Sequence, residues 1–409
     1  MRTVQSREPI TTGDQEPELN IFVLIDALGW EVIQGRRFLE DLLPYRRPLR
    51  TVLGFSSGAI PTILTGRPPA ETGHWNLFYF DPKGSPFRWL RYLAFLPPWA
   101  MDHRVGRKLL KELGRRFLGL GPLFECCVKP SVLHYFNWVE RRNIYGPAGI
   151  SNSRSIFDEL VSKHIPHRVY TYHDMNDHQI VNRALDDITH DRARVLFLYL
   201  SEMDMFLHTH VNDGARIGQR LDEYERDLTR LYNAASARCG SVSMTIFSDH
   251  WMTPVREHYD LVRDVEALPY HSPSDYLAVY DSTMARFWFF GDKAREAIEN
   301  ILSASPCGRI LSDAELSGLG VLFEDRRFGD LVFLLHPGWL IAASDFNGPS
   351  WNPAGMHGYH PDDSYSDAVF LSTCRPAFRV ATIKDIYQCF KAALNESHEP
   401  PCSDETGPR

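Results

Sequence analysis

The chain has 409 residues, 44% of them hydrophobic, and a formal net charge of −8. That is enough apolar sequence to bury a large core. Charges of both signs are interspersed, which excludes a general binder of nucleic-acid duplexes with its basic footprint, and no uninterrupted apolar run approaches the ~18 residues of a bilayer-crossing helix.

Seven cysteines, an odd number at scattered positions, read as reduced thiols rather than a disulfide framework. The segment from Met1 to Glu18 is polar and contains acids, unlike a signal or transit peptide, so a cytoplasmic address is expected. Residues 1–18 and 396–409 read as disordered tails around one folded unit over 19–395.

Asn20-Ile-Phe-Val-Leu-Ile-Asp26 is a continuous apolar run ending in a carboxylate, the pattern of a central parallel strand buried on both faces. Asp26 then falls at the carboxyl end of that strand, where open α/β sheets place their ligands. Residues 30–43 carry apolar side chains at helical spacing and predict a helix. Residues 51–53 read as the end of another strand. They lead through the small-residue turn Ser56-Ser57-Gly58 into a helix over 59–65, stopped by Gly66. A serine at such a turn is ordinarily an N-cap. The same position also gathers backbone N–H groups and the positive helix end around an anion.

From 78 to 146 aromatic residues (Phe87, Trp89, Tyr92, Phe95, Trp99) mix with a basic amphipathic segment, 104–116. This stretch reads as a cap insertion over the carboxyl edge of the sheet. Its basic segment fits a solvated helix face, recognition of an anionic substrate, or peripheral contact with an anionic membrane surface. Residues 151–163 predict a helix and 167–171 a strand. Arg194-Val-Leu-Phe-Leu-Tyr-Leu200 is a second doubly buried strand, 214–236 a long helix, and Val242-Ser-Met-Thr-Ile-Phe247 a third buried strand. A strand at 285–290 and a helix at 293–303 predict a small α/β insertion over 275–325. Residues 330–335 and 338–341 read as a hairpin, while a strand at 368–371 and a helix at 383–394 return to the main sheet.

Three buried strands therefore run into acids or histidines: Asp26 after the first, Asp204 and His208 after the second, Asp249 and His250 after the third. A glycine-rich loop adds His357. Each alone has an ordinary structural explanation, as a cap, a core histidine or a surface turn. Together, at the ends of buried strands, they would cost several kcal/mol unless a partner compensated them. Three aspartates and three histidines suit a pair of borderline divalent cations, for which imidazole and carboxylate are the ordinary ligands.

At these residues the sequence resembles the alkaline phosphatase superfamily, and within it the type I phosphodiesterase/nucleotide pyrophosphatase group. The matching pieces are the strand ending in Asp26, the run from Ser56 through Thr65-Gly66 to Gly73, Asp204-x-x-x-His208, Ser248-Asp249-His250 and Gly355-Met-His357-Gly-Tyr. In that family the nucleophile lies nine residues before the Thr-Gly pair, which selects Ser56 over Ser57. The resemblance implies an alkaline-phosphatase-like, mostly parallel sheet flanked by helices. It implies that Asp26, Asp249 and His250 hold one zinc and Asp204, His208 and His357 the other, with Asn76 close to the position of a phosphoryl-binding asparagine. It further implies hydrolysis of phosphodiester or pyrophosphate bonds of a small phosphorylated substrate through a phosphoseryl intermediate.

The chain departs from the group in carrying serine where threonine is usual, and Ser57-Gly58 where a phenylalanine usually follows. The alternatives are a phosphomonoesterase or phosphonate hydrolase of the same superfamily, a membrane-surface phosphotransferase, and a non-catalytic binding module. A sulfatase is disfavoured because no Cys/Ser-x-Pro-x-Arg sequence surrounds Ser56.

Overall fold

The computed structural model describes residues 18–93, 102, 104–117, 128–173, 175–190, 193–345 and 351–395. The tails expected at 1–18 and 396–409 lie outside the described residues except for Glu18, which opens the first strand instead; Phe95 and Trp99 of the cap also lie outside them. The central sheet has six strands: β1 (Glu18–Ile25), β2 (Tyr45–Leu49), β3 (His167–Tyr170), β4 (Val195–Leu200), β5 (Ser241–Phe247) and β6 (Ala368–Ser372). Their order is β2-β6-β5-β1-β4-β3. The three apolar runs read from the sequence are neighbours in it, and β1 pairs in parallel with both β4 and β5. Strand β3 continues the parallel set, and β6 alone runs antiparallel, between β5 and β2.

Side-chain alternation along β1 divides the core in two. Ile21, Val23 and Ile25 face one layer with Ile217, Leu221 and Leu228. Phe22 and Leu24 face the other, with Ile60, Ile63 and Leu64. A helix-covered sheet of this kind leaves its central strands little solvent face, which is why β4 is wholly apolar and buried and β1 and β5 become so toward their carboxyl ends. Because β1, β4 and β5 are parallel, all three release their polar continuations at one edge of the sheet.

The edges follow a different logic. Strand β2 reads Tyr-Arg-Arg-Pro-Leu and lies at the rim, where Pro48 removes no needed ladder donor. The strand lies at 45–49 and ends before 51–53; Arg50 makes only an isolated bridge, with Thr382. The helix expected over 30–43 is confined to Trp30–Ile33. Gly35 and Leu39, the latter in the left-handed region at φ 50°, break it.

A second, antiparallel sheet takes Tyr276–Asp281, Met284–Phe289, Leu331–Leu335 and Gly308–Ile310 in that order. It extends past 325 to Leu335. The hairpin expected between 330–335 and 338–341 does not form. Leu331–Leu335 is wholly buried and has a neighbour on each side, so it has no free edge for a returning strand. Trp339–Ile341 pairs instead, in parallel, with Glu257–Tyr259. The cap shares its core with this second sheet: Phe87, Leu90, Leu110 and Phe136 pack with Leu277, Val279 and Trp288.

Candidate active site

Helix α1 (Ser56–Thr65) begins at Ser56 itself and ends at Gly66, left-handed at φ 68°. Its N-cap is Phe55, extended, with no side-chain cap hydrogen bond. Ser56 is therefore the first helical residue rather than the cap, and its hydroxyl is available to the site. Ser56 Oγ lies 3.1 Å from His250 Nε2. The Ser57 hydroxyl is committed elsewhere, donating to the Trp75 carbonyl at 2.8 Å. Trp75 in turn donates from Nε1 to the Leu53 carbonyl at 2.7 Å, fixing the turn that presents Ser56.

The polar continuations of β1, β4 and β5 meet beside this hydroxyl. His250 Nε2 is 3.3 Å from Asp249 Oδ2 and 3.6 Å from Asp26 Oδ1. Helix α2 (Glu202–His210) carries Asp204 and His208 one turn apart on one face, and His208 Nε2 is 3.4 Å from Asp204 Oδ2. Asp204 Oδ1 is 3.6 Å from His357 Nε2. The His250 and His357 rings stack with centroids 3.8 Å apart, joining the two groups. His208 and His250 each place Nδ1 within hydrogen-bond reach of a backbone carbonyl, at Gly355 (2.9 Å) and Trp251 (3.1 Å). Such bonds leave Nε2 as the ligating atom.

The carboxylates are only half satisfied. Asp26 Oδ2 accepts a very short hydrogen bond from Tyr199, and Asp249 Oδ1 accepts from the backbone N–H groups of Ala27 and His250. Asp26 Oδ1, Asp204 Oδ1 and Asp249 Oδ2 are buried with no hydrogen-bond partner. Burial, with repulsion from Asp249 and Asp204, raises the Asp26 carboxyl well above its ordinary range. Burial works the same way on Asp204, but His208, His357 and His250 outweigh it and hold that group low. His357 is pushed well below the usual imidazole value by burial and by neighbouring His250. Orphaned carboxylate oxygens facing imidazole Nε2 atoms in a buried site are the donor set of a borderline divalent cation, and the residues present fit that group.

All six residues expected as ligands are in one place. Asp204, His208 and His357 form one trio able to hold an ion; Asp204 also completes a second with Asp26 and His250, all ligand atoms of each trio lying within 4.8 Å of one another. Asp249, expected with Asp26 and His250, is in neither trio, although its Oδ2 lies 3.3 Å from His250 Nε2. Asn76 is buried under the turn before Ser56. Its Nδ2 donates to Met284 Sδ at 3.4 Å, and its Oδ1 has no hydrogen-bond partner. Tyr199 escapes a reading of the sequence alone. The one available signal is a lone hydroxyl near the end of an apolar strand, paired in register with Leu24, two residues before Asp26.

The chain belongs to the type I phosphodiesterase/nucleotide pyrophosphatase family of the alkaline phosphatase superfamily, whose family model matches residues 21–360. That family comprises metal-dependent phosphoric ester hydrolases. Among solved structures, the chain is similar to murine ectonucleotide pyrophosphatase/phosphodiesterase 5, at 16% identity and a TM-score of 0.64 over 95% of this chain and 98% of that one. An inactive form of the murine protein in complex with AMP matches at 17% identity and a TM-score of 0.64, covering 96% and 98%. Phosphonoacetate hydrolase from Sinorhizobium meliloti 1021, in complex with phosphonoacetate, matches at 12% identity and a TM-score of 0.61, covering 95% and 99%. At these identities the likeness is one of fold. No curated protein sequence matches the chain.

Proposed function

We propose that the protein hydrolyses a phosphodiester or pyrophosphate bond of a small phosphorylated substrate by way of a phosphoseryl intermediate at Ser56. The observation that carries this reading is the Ser56 hydroxyl, freed from capping and set 3.1 Å from His250 Nε2, beside three unsatisfied carboxylate oxygens. Asp26, Asp249 and His250 would hold one divalent cation, and Asp204, His208 and His357 a second, with zinc the first candidate and manganese the other. When bound, such a pair supplies Lewis-acid stabilisation and lowers the pKa of oxygens in its coordination sphere.

The protein's own contribution is placement. Ser56, at the first position of a ten-residue helix, sets its oxygen where the positive helix end favours the phosphoryl group's charge. The Ser56 hydroxyl gives up its proton to solvent as its oxygen bonds to phosphorus and the bond to the leaving alcohol or phosphate breaks, and that group departs with a proton from solvent. Water then attacks the phosphoserine, returning the serine and releasing the product. Orienting the hydroxyl in advance removes part of the entropic barrier to the first step.

A phosphonate or phosphomonoester hydrolase is the second reading. Ser57-Gly58 stands where a phenylalanine usually follows the nucleophile, so that position supplies no ring for a base to lie on, and phosphonoacetate hydrolase is among the structures this fold resembles. The test is a panel of zinc- and manganese-reconstituted assays on a nitrophenyl diester, dinucleotides, nucleotide sugars, the nitrophenyl monoester and phosphonoacetate. The proposal expects diester or pyrophosphate turnover that a chelator abolishes. Preference for the monoester or the phosphonate would move the protein to the second reading, and no turnover by metal-loaded protein would overturn both.

A further inference from the structure

We propose that two neighbouring segments of the cap, the 3-10 turn Arg88–Leu93 and helix Arg104–Phe117, dock the protein onto an anionic lipid bilayer. Both are fixed to the molecule from beneath. Leu90 of the turn and Leu110 of the helix enter the same buried core, with Phe87 and Phe136. Their outward sides are unlike the rest of the surface. Eight large hydrophobic side chains are exposed among the described residues, and five of them are on these two segments. Tyr92, Leu109 and Phe117 are the most telling, 67%, 60% and 77% exposed, with Trp89 and Val105 beside them in sequence.

Scattered single exposures are normal on a protein surface; a concentration of this kind marks a contact. The charge pattern says what kind. The two segments carry eight lysines and arginines and one acid, in a chain whose net charge is −8. Lys108 and Arg116 are exposed next to Leu109 and Phe117. A helix that alternates exposed aliphatic and aromatic residues with cations is built for the headgroup boundary. The apolar groups enter the acyl layer, the cations meet anionic headgroups, and Trp and Tyr sit at headgroup depth. A nucleic acid would use the cations but gain nothing from Leu109 or Phe117. A zwitterionic bilayer would leave the local positive charge unmatched.

The test is co-sedimentation of the full chain with vesicles, which reads binding and is independent of turnover. Vesicles of phosphatidylcholine alone are compared with vesicles containing about one-third phosphatidylglycerol. The expected result is roughly tenfold more protein on the anionic vesicles, lost at about 0.5 M salt. Two double variants, Leu109→Asp with Phe117→Asp and Lys108→Glu with Arg116→Glu, should each abolish that binding. They should also keep the thermal transition of the parent and its hydrolysis of a soluble substrate. Absence of binding to anionic vesicles overturns the proposal. So does binding that both variants leave intact, or retention on duplex DNA without retention on vesicles.

Discussion

Ser56 Oγ sits 3.1 Å from His250 Nε2, while the hydroxyl of Ser57, the next residue, donates to the Trp75 carbonyl at 2.8 Å. Adjacent residues of one type thus have opposite assignments, one facing the site and one holding the turn. Ser56→Ala should lower the turnover number by at least ~10³-fold while metal content is unchanged. Ser57→Ala should cost about 1 kcal/mol of stability through its lost hydrogen bond and change turnover only a few-fold. Steady-state rates and a denaturant melt on the two variants decide the matter, and the reverse pattern would reassign the nucleophile.

Tyr199 controls the orientation of Asp26. Its hydroxyl engages Oδ2 and leaves Oδ1 facing His250. Tyr199→Phe preserves the ring and its packing but removes the donor. Divalent-cation affinity, measured by competition with a chelator, should fall ~10–100-fold, as for other groups that orient a ligand. An unchanged affinity would show that Asp26 needs no such help.

The turn before Ser56 depends on Gly54. Its φ is 123°, and a Cβ placed there would lie 2.6 Å from Trp75 Nε1, whose hydrogen bond to Leu53 fixes the same turn. Gly54→Ala therefore combines backbone strain with a steric clash. A loss of about 2–4 kcal/mol in unfolding free energy is expected. Activity should drop with it, because Ser56 is two residues away.

How much of this could be read before any coordinates depends on where each residue lies in the sheet. Strands β1, β4 and β5 were legible because burial on both faces keeps their carboxyl-terminal halves apolar until the chain leaves the sheet. The same burial made Asp26, Asp204 and Asp249 conspicuous as breaks in the pattern. Edge elements gave weaker signals: Tyr-Arg-Arg-Pro-Leu is polar because half of it faces water, and its strand character comes from pairing with β6. Leu331–Leu335 was recognisable as a strand, but its nearest partner pair, Ile310 with Phe333, is far apart in sequence and no local turn names it. Tyr199 meets Asp26 across 173 residues, a contact created by strand register alone. Ser56 could be chosen over Ser57 by spacing, whereas the opposite directions of their hydroxyls needed the Trp75 carbonyl in view.

Glu140 gives the molecule a pH dependence apart from the catalytic groups. Burial pushes its carboxyl up to about 7, from an ordinary value of 4.5. Between those values the folded protein holds a proton that the unfolded chain has lost, so stability falls as pH rises through that window. Glu140→Gln removes the titrating group. Its stability relative to the parent should improve, by of order 2 kcal/mol, between about pH 5 and about pH 8. Urea unfolding of both proteins across that range measures the difference, and parallel pH profiles would contradict it.

The proposed chemistry requires two cations seated among the converging side chains, and anomalous diffraction from zinc-loaded crystals tests for them directly. Two peaks are expected beside Ser56, one bounded by Asp26, Asp249 and His250 and the other by Asp204, His208 and His357. Zinc-loaded crystals with no peak there, or with peaks only on surface histidines such as His178, would contradict that chemistry.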